Sequence, residues 1–417
     1  MKFYSMIFNI LILIILIFHP LWAKGGRIPV YARNGMVVSA SEIASAVGRD
    51  ILQNGGNAID ATIATAFALA VTWPSAGNIG GGGFIVYHPH DGKVTTIDFR
   101  EKAPLKATEK MFLGADGKVF DGSNHEGFLS IGVPGSVAGL YKAHKLYGRK
   151  PWAELVEPAI RLASEGFEFT WALYHHTTGN SKQRFQKYAS TTKVLYKDNL
   201  EPYQPGEIWK QPDLAETLKR IQQHGHDGFY KGKIAELLAR LIQANGGIIS
   251  EKDLSEYEAQ ERSPIHITYR DYDIYSMPPP CSGGITLGIM LNILEGYNLK
   301  ETGHNSAMYL HLLTESMRRA YADRAKYLGD PDFNRDMPIS KLVSKIHADS
   351  LRKNIHLFIA SKSDSVSFND NYESEETTHL SVVDSEGNSV SMTTTLEYSY
   401  GSAIIAEGLG FFLNNEM

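Results

Sequence analysis

A chain of 417 residues, 43% hydrophobic and 11% aromatic, has enough apolar material for a large core, built as one big or two moderate domains. Its 41 basic and 46 acidic residues leave a formal charge of −5, so no cationic surplus exists to displace counterions from nucleic acid or to hold anionic lipid. A single cysteine, Cys281, excludes an intramolecular disulfide; in "PPPCSGG", without a histidine or basic neighbour, it reads as a turn residue rather than an activated thiol.

The amino terminus has the layout of a secretory signal. Lys2 precedes an apolar run over residues 6–18, followed by His19-Pro20 and "LWA" before Lys24. That run is shorter than the roughly 20 residues needed to cross a bilayer, and it ends at a helix-breaking proline. Residues 1–23 are therefore expected to be removed after Ala23, leaving an exported chain, periplasmic or extracellular, with no lasting membrane insertion.

Helical spacing begins in "SASEIASAVGRDILQNGG", where Ile43, Val47 and Ile51 recur at intervals of four before Gly55-Gly56. "NAIDATIATAFALAVTWP" is apolar nearly all round, which predicts a buried helix. Gly80 to Gly83 then lead into "FIVYHP" and "VTTIDFR", a hairpin turning at Asp91-Gly92. No Lys-Ser/Thr follows those glycines and no dinucleotide spacing surrounds them, so they predict close backbone approach rather than a phosphate cradle. Helices dominate the middle: "SVAGLYKAHKLYG", "PWAELVEPAIRLASEG", "DLAETLKRIQQHG", "KIAELLARLIQANGG" and "AMYLHLLTESMRRAYADRAKYLG". Between the last two, "IHITYRDYDIYSM" reads as a strand pair. The histidine pairs His88/His90 and His175/His176 lack companions at a metal-ligand spacing and read as solvated loop residues, so neither metal nor cofactor is expected.

A polar stretch over residues 361–376 forms a linker, and a clean alternation follows it. The loop Ser385-Glu386-Gly387 puts glycine where a type I turn with a G1 bulge needs a left-handed residue. With Asp384 opposite Asn388, Val383 faces Ser389, Ser381 faces Ser391, His379 faces Thr393 and Thr377 faces Thr395. Leu380, Val382, Val390, Met392 and Leu396 fall on the other, apolar face. Opposed side chains lie about 5 Å apart at Cβ, so Thr377 and Thr395 are within reach of each other.

A threonine hydroxyl is a weak nucleophile until a base takes its proton. The free amine of a chain-terminal threonine can be that base. A break between Glu376 and Thr377 would make Thr377 such a terminus, at the head of an anchored strand. The plain alternative is a set of β-favouring threonines on a polar sheet face.

At this point a resemblance enters. "TTHLSVVDSEGNSVSMTTTL" and "FFLNNEM", with "GGNAIDATIATAFALAV", "GNIGGGGF", "DFREKAP", "GVPGSVAGL", "PWAELVEPAI", "SMPPPCSGG" and "ADRAKYLGDP" in the same order, resemble the gamma-glutamyltranspeptidase family over nearly the whole chain after the signal. The resemblance implies a mixed α/β (α+β) fold, the four-layer αββα sandwich of the N-terminal nucleophile hydrolases. It also implies autocleavage between Glu376 and Thr377 into a large subunit, residues 24–376, and a small subunit starting at residue 377. By resemblance Thr377 is the nucleophile, Thr395 its hydrogen-bonding partner, Arg100 the grip on the substrate's α-carboxylate, and Glu416 a contact to its α-amino group. One departure is Glu397, where the family commonly carries asparagine; it adds a negative charge beside the site.

The implied activity is transfer of a γ-glutamyl group from glutathione or related amides to water, amino acids or peptides, with no cofactor. Partners are then the small substrate and the chain's own two subunits. Since the family's small subunit runs well beyond the motif in which Met417 falls, residues 377–417 are expected to be only its start, and the 417-residue piece is expected to be inactive by itself. Two alternatives are a cephalosporin or glutaryl acylase of the same architecture and a non-catalytic homologue that binds without cleaving.

Overall fold

The computed structural model describes residues 29–120, 123–179, 181–363 and 377–417. The expected signal, residue Glu376 and most of the polar linker lie outside the described residues. The described residues divide into a short stretch that ends at Asn34 and a compact unit from Gly35 to Met417. Within the first, residues 29–34 are exposed.

The second unit is built on a six-stranded antiparallel sheet of β1 (Met36–Val38), β2 (Gly82–His88), β3 (Thr95–Asp98), β4 (Gln260–Arg262), β5 (Thr378–Val383) and β6 (Ser389–Thr395). Its order is β1-β5-β6-β2-β3-β4, which puts the late hairpin β5/β6 in the centre, between segments hundreds of residues upstream. The other sheets among the described residues are two-stranded, Phe167–Glu168 with Ile208–Trp209, and the expected pair Ile265–Tyr269 with Tyr272–Ser276.

Helix α1 (Glu42–Gln53) starts where Ser41 caps Ala44 N, and α2 (Ala58–Thr72) starts at a capping box made by Asn57 and Asp60. Every residue of α2 is buried. It packs on the β5/β6 face that carries Leu380, Val382, Val390 and Met392, so the all-round apolar sequence answers to neighbours on all sides. Helices α3 (Ser136–Tyr147), α4 (Trp152–Glu165), α5 (Pro212–His224) and α6 (Lys233–Ala244) complete this main core, at positions within a few residues of those expected. A smaller core gathers Ile265, Ile267, Ile285, Ile289 and Ala320 between the two-stranded hairpin, helix α7 (Gly283–Leu294) and helix α8 (Ala307–Tyr327). None of the described helices is long and apolar enough to cross a membrane.

One expectation needs correcting. Neither His88 nor the pair His175/His176 is in a loop: His88 ends strand β2 opposite Ser389, and His175 and His176 lie on the helix Trp171–Thr178, started by Thr170 capping Leu173 N, with His176 against the rings of Trp73 and Tyr400. Cys281 does sit in a turn, its N–H donating to Pro278 O at 3.2 Å.

Candidate active site

The site begins with the register of the central hairpin. Val383 pairs with Ser389, Ser381 with Ser391 and His379 with Thr393, as the alternation requires. Gly387 has φ +88° and donates to Asp384 O at 3.2 Å, while Asp384 N donates to Asn388 O at 3.1 Å, which is the bulged turn expected from the sequence. On the polar face, His379 Nδ1 and Thr393 Oγ1 are 2.8 Å apart. The ladder ends at Thr378 opposite Thr394. One residue further on the same register, exposed Thr377 stands opposite Thr395.

The same row continues across the sheet. Thr395 pairs with Gly82 on β2. Phe84 pairs with Asp98, and Gly83 and Phe99 exchange hydrogen bonds at 3.0 and 3.3 Å, so Arg100 comes next, opposite Gly82. Register alone therefore lines up Thr377, Thr395, Gly82 and Arg100 on four neighbouring strands, about 14 Å from end to end at three strand spacings. Gly82 has to be glycine here. A Cβ would lie 2.4 Å from Glu101 Oε2 and 2.7 Å from Phe99 O. At Gly81 it would meet Thr395 O at 2.2 Å, so the expected close backbone approach is real.

Two buried asparagines hold this geometry. Asn78 Nδ2 donates to Thr394 Oγ1 at 3.0 Å and Thr395 O at 2.9 Å, while its Oδ1 accepts from Gly81 N and Ser136 Oγ. Asn414 Nδ2 donates to Gly80 O and Gly132 O, both at 2.8 Å, and its Oδ1 accepts from Gly132 N and Glu416 N. Sequence reasoning missed both. They sit in the quoted motifs "GNIGGGGF" and "FFLNNEM", but their partners are far away in sequence.

Charge concentrates at the Arg100 end. Arg100 is ion-paired with Glu416, not with adjacent Glu101. Glu101 as a residue is only half-buried, but both its carboxyl oxygens are shielded from solvent and neither is hydrogen-bonded among the described residues. Burial pushes its carboxyl up to about 7, against the opposing pull of Arg100. Glu397, two residues past Thr395, donates its N–H to Thr395 Oγ1 at 3.0 Å and accepts from Asn415 Nδ2. Burial pushes it up to about 7 as well, against the Asn415 hydrogen bond and the charges of Arg184 and Arg100. No group of three or more metal-ligating side chains occurs among the described residues.

The arrangement offers a hydroxyl pair at one end and an arginine with carboxylates at the other. Such a site suits a ligand carrying a zwitterionic head and an acyl group a few bonds away.

The family model described as Gamma-glutamyltranspeptidase matches residues 44–417. The chain is 45% identical over 390 residues to the glutathione hydrolase proenzyme of Pseudomonas sp. (strain A14), covering 93% of this chain and 68% of that protein. It superposes on Helicobacter pylori gamma-glutamyltranspeptidase with a TM-score of 0.79 at 41% identity, covering 84% of this chain and 100% of that one. It also superposes on the cephalosporin acylase of Bacillus halodurans with a TM-score of 0.81 at 27% identity, covering 95% and 72% respectively. The fold is that of the N-terminal nucleophile hydrolases. With a family model matched from residue 44 to the last residue and a relative alike over two thirds of its own length, the chain belongs to the gamma-glutamyltranspeptidase family.

Proposed function

We propose that this chain is an exported, self-processing γ-glutamyl hydrolase and transferase. Residues 1–23 direct export to the periplasm or the extracellular space. Cleavage between Glu376 and Thr377 frees the Thr377 amine and leaves large and small subunits as a heterodimer. The observation that carries the reading is the row from Thr377 through Thr395 and Gly82 to Arg100, with Glu416 paired to Arg100.

In this reading the donor's α-carboxylate takes Arg100 in a charge-assisted hydrogen bond and its α-ammonium takes Glu416, so the ligand exchanges an internal ion pair for two external ones. The γ-carbonyl then reaches toward Thr377. Thr377 Oγ attacks it, the Thr377 amine takes the hydroxyl proton and returns it to the departing amine, and a glutamyl ester remains on Oγ. Water, or the amine of an amino acid or peptide, attacks that ester and regenerates the hydroxyl. Glutathione fits as donor, in line with the names of the relatives.

A second reading, a glutaryl-side-chain acylase, is favoured by the likeness to the cephalosporin acylase. It differs by one group, because a glutaryl chain has no ammonium and leaves Glu416 without a cation once Arg100 turns to the ligand's carboxylate. An unmet buried carboxylate costs about 1–3 kcal/mol or more. The complete gene product is therefore expected to cleave a γ-glutamyl anilide about 10- to 100-fold faster than the matching glutaryl anilide at low substrate. The reverse order would install the acylase reading, and no turnover of either would leave only a binding homologue.

A further inference from the structure

Arg100 and Glu101 stand in a gap between two backbone pairings. Before them, Phe99 exchanges hydrogen bonds with Gly83; after them, Lys102 exchanges bonds with Val133 at 3.2 and 2.8 Å. The chain changes partners across these two residues, so the N–H and carbonyl of Arg100 fall outside either ladder. Backbone groups in such a place need side chains as partners. Asp98 Oδ1 accepts from Arg100 N at 3.0 Å, and Asp98 is itself held by Arg262 Nε at 2.8 Å. On the other side, Tyr257 Oη donates to Arg100 O at 2.7 Å.

Tyr257 reaches that carbonyl from within the core. The residue is 2% exposed, and its ring stacks on Tyr230 at 5.6 Å and 9°. Tyr230 is fully buried; its hydroxyl donates to Pro134 O at 2.8 Å and accepts from Ala138 N at 3.2 Å. Gly135, just before α3, leaves room for the contact, because a Cβ there would lie 2.2 Å from Tyr257 Oη and 2.0 Å from Phe99 O. The Lys102 ammonium sits 5.1 Å from the Tyr257 ring centre. Phenylalanine would fill the same space, so the hydroxyl on Arg100 is the informative feature rather than the ring.

We propose that Tyr257 is a positioning residue for the reaction: by fixing the Arg100 carbonyl, its hydroxyl sets where the guanidinium meets the donor's carboxylate. This rests on the γ-glutamyl reading above and adds to it a residue 157 positions from Arg100 that touches no substrate. Without the hydroxyl, the Arg100 peptide loses its partner inside a gap that no ladder holds. A small rotation there is carried to the far end of a long side chain, and a charge-assisted grip on a carboxylate tolerates little misalignment. The loss falls on ligands with a carboxylate at that point and spares those without one.

The test compares kcat/KM of the processed complete gene product on three anilides. They are the γ-glutamyl anilide; the glutaryl anilide, which keeps the carboxylate and lacks the ammonium; and the 4-aminobutanoyl anilide, which keeps the ammonium and lacks the carboxylate. Tyr257→Phe is expected to lower kcat/KM about tenfold for the first two, through KM with kcat unchanged, and by less than about twofold for the third. Tyr230→Phe removes a hydroxyl equally deep in the same stack but away from Arg100, and is expected to leave all three within about twofold. Tyr257→4-aminophenylalanine keeps the ring and offers a weaker N–H donor. It is expected to show the same selectivity at about threefold, and it carries the test if Tyr257→Phe does not fold. A loss shared equally by the 4-aminobutanoyl anilide, a matching loss in Tyr230→Phe, or no loss in Tyr257→Phe overturns the proposal while wild-type turnover leaves the functional reading standing. Wild type that cleaves no γ-glutamyl anilide brings down the functional reading and this inference together.

Discussion

Glu101 shows how much of a site lies in what surrounds a residue. In the sequence it is an acid beside Arg100, and the ordinary expectation is a surface ion pair. In the structure Arg100 turns to Glu416, and the Glu101 carboxyl group is shielded from solvent beside Gly82 and raised from 4.5 to about 7 by burial. The sign of its contribution follows from linkage. Between pH 4.5 and 7 the folded state holds a proton that the unfolded state has lost, so stability falls as pH rises through that window. Thermal unfolding of wild type is expected to show that decline, to which Glu397, raised by burial to about 7 as well, adds its own share; Glu101→Gln is expected to make it shallower without abolishing it, and an equally steep decline in the variant would mean the proton resides elsewhere. Arg100, Thr395, Glu397 and Glu416 were legible as candidates because they stand in recognisable motifs. Asn78, Asn414 and Tyr257 were not, because each acts through partners on segments far away in sequence, as Asn414 does on Gly132.

Among the elements, the hairpin was the most legible. Period-two alternation fixes faces, and a three-residue loop ending in glycine fixes register, so local signals alone predicted which residues oppose one another. The loop glycine is testable. Gly387→Ala puts a Cβ at φ +88° and 2.9 Å from His90 Nδ1, and is expected to lower the unfolding free energy by about 1–2 kcal/mol, read as a lower denaturant midpoint at unchanged m. An unshifted midpoint would show that the turn does not hold the register. Helix α7 was missed since its opening Gly283-Gly284 reads as the tail of a proline-rich turn and its apolar run lacks a polar face. Strands β1 and β4 have three residues each, too few to show alternation. They are strands because the sheet offers them edges.

For the molecule as a whole, the sheet order explains why a signal so late in the chain governs the site. The segment after the linker enters the middle of a sheet whose other strands come from residues 36–98 and 260–262, and only there does Thr377 share a row with Arg100. The sequence could announce a mixed helix-and-strand fold and its large core, but strand order depends on long-range pairing that no local pattern carries. The central claim is that Thr377 becomes a chain terminus and then the nucleophile. The measurement that tests it most directly is the denatured intact mass of the complete gene product beside its Thr377→Ala variant. Two fragments joined in the precursor between Glu376 and Thr377 are expected from wild type and one uncut chain from the variant. A single uncut wild-type chain, or equal cleavage of both, would contradict the account.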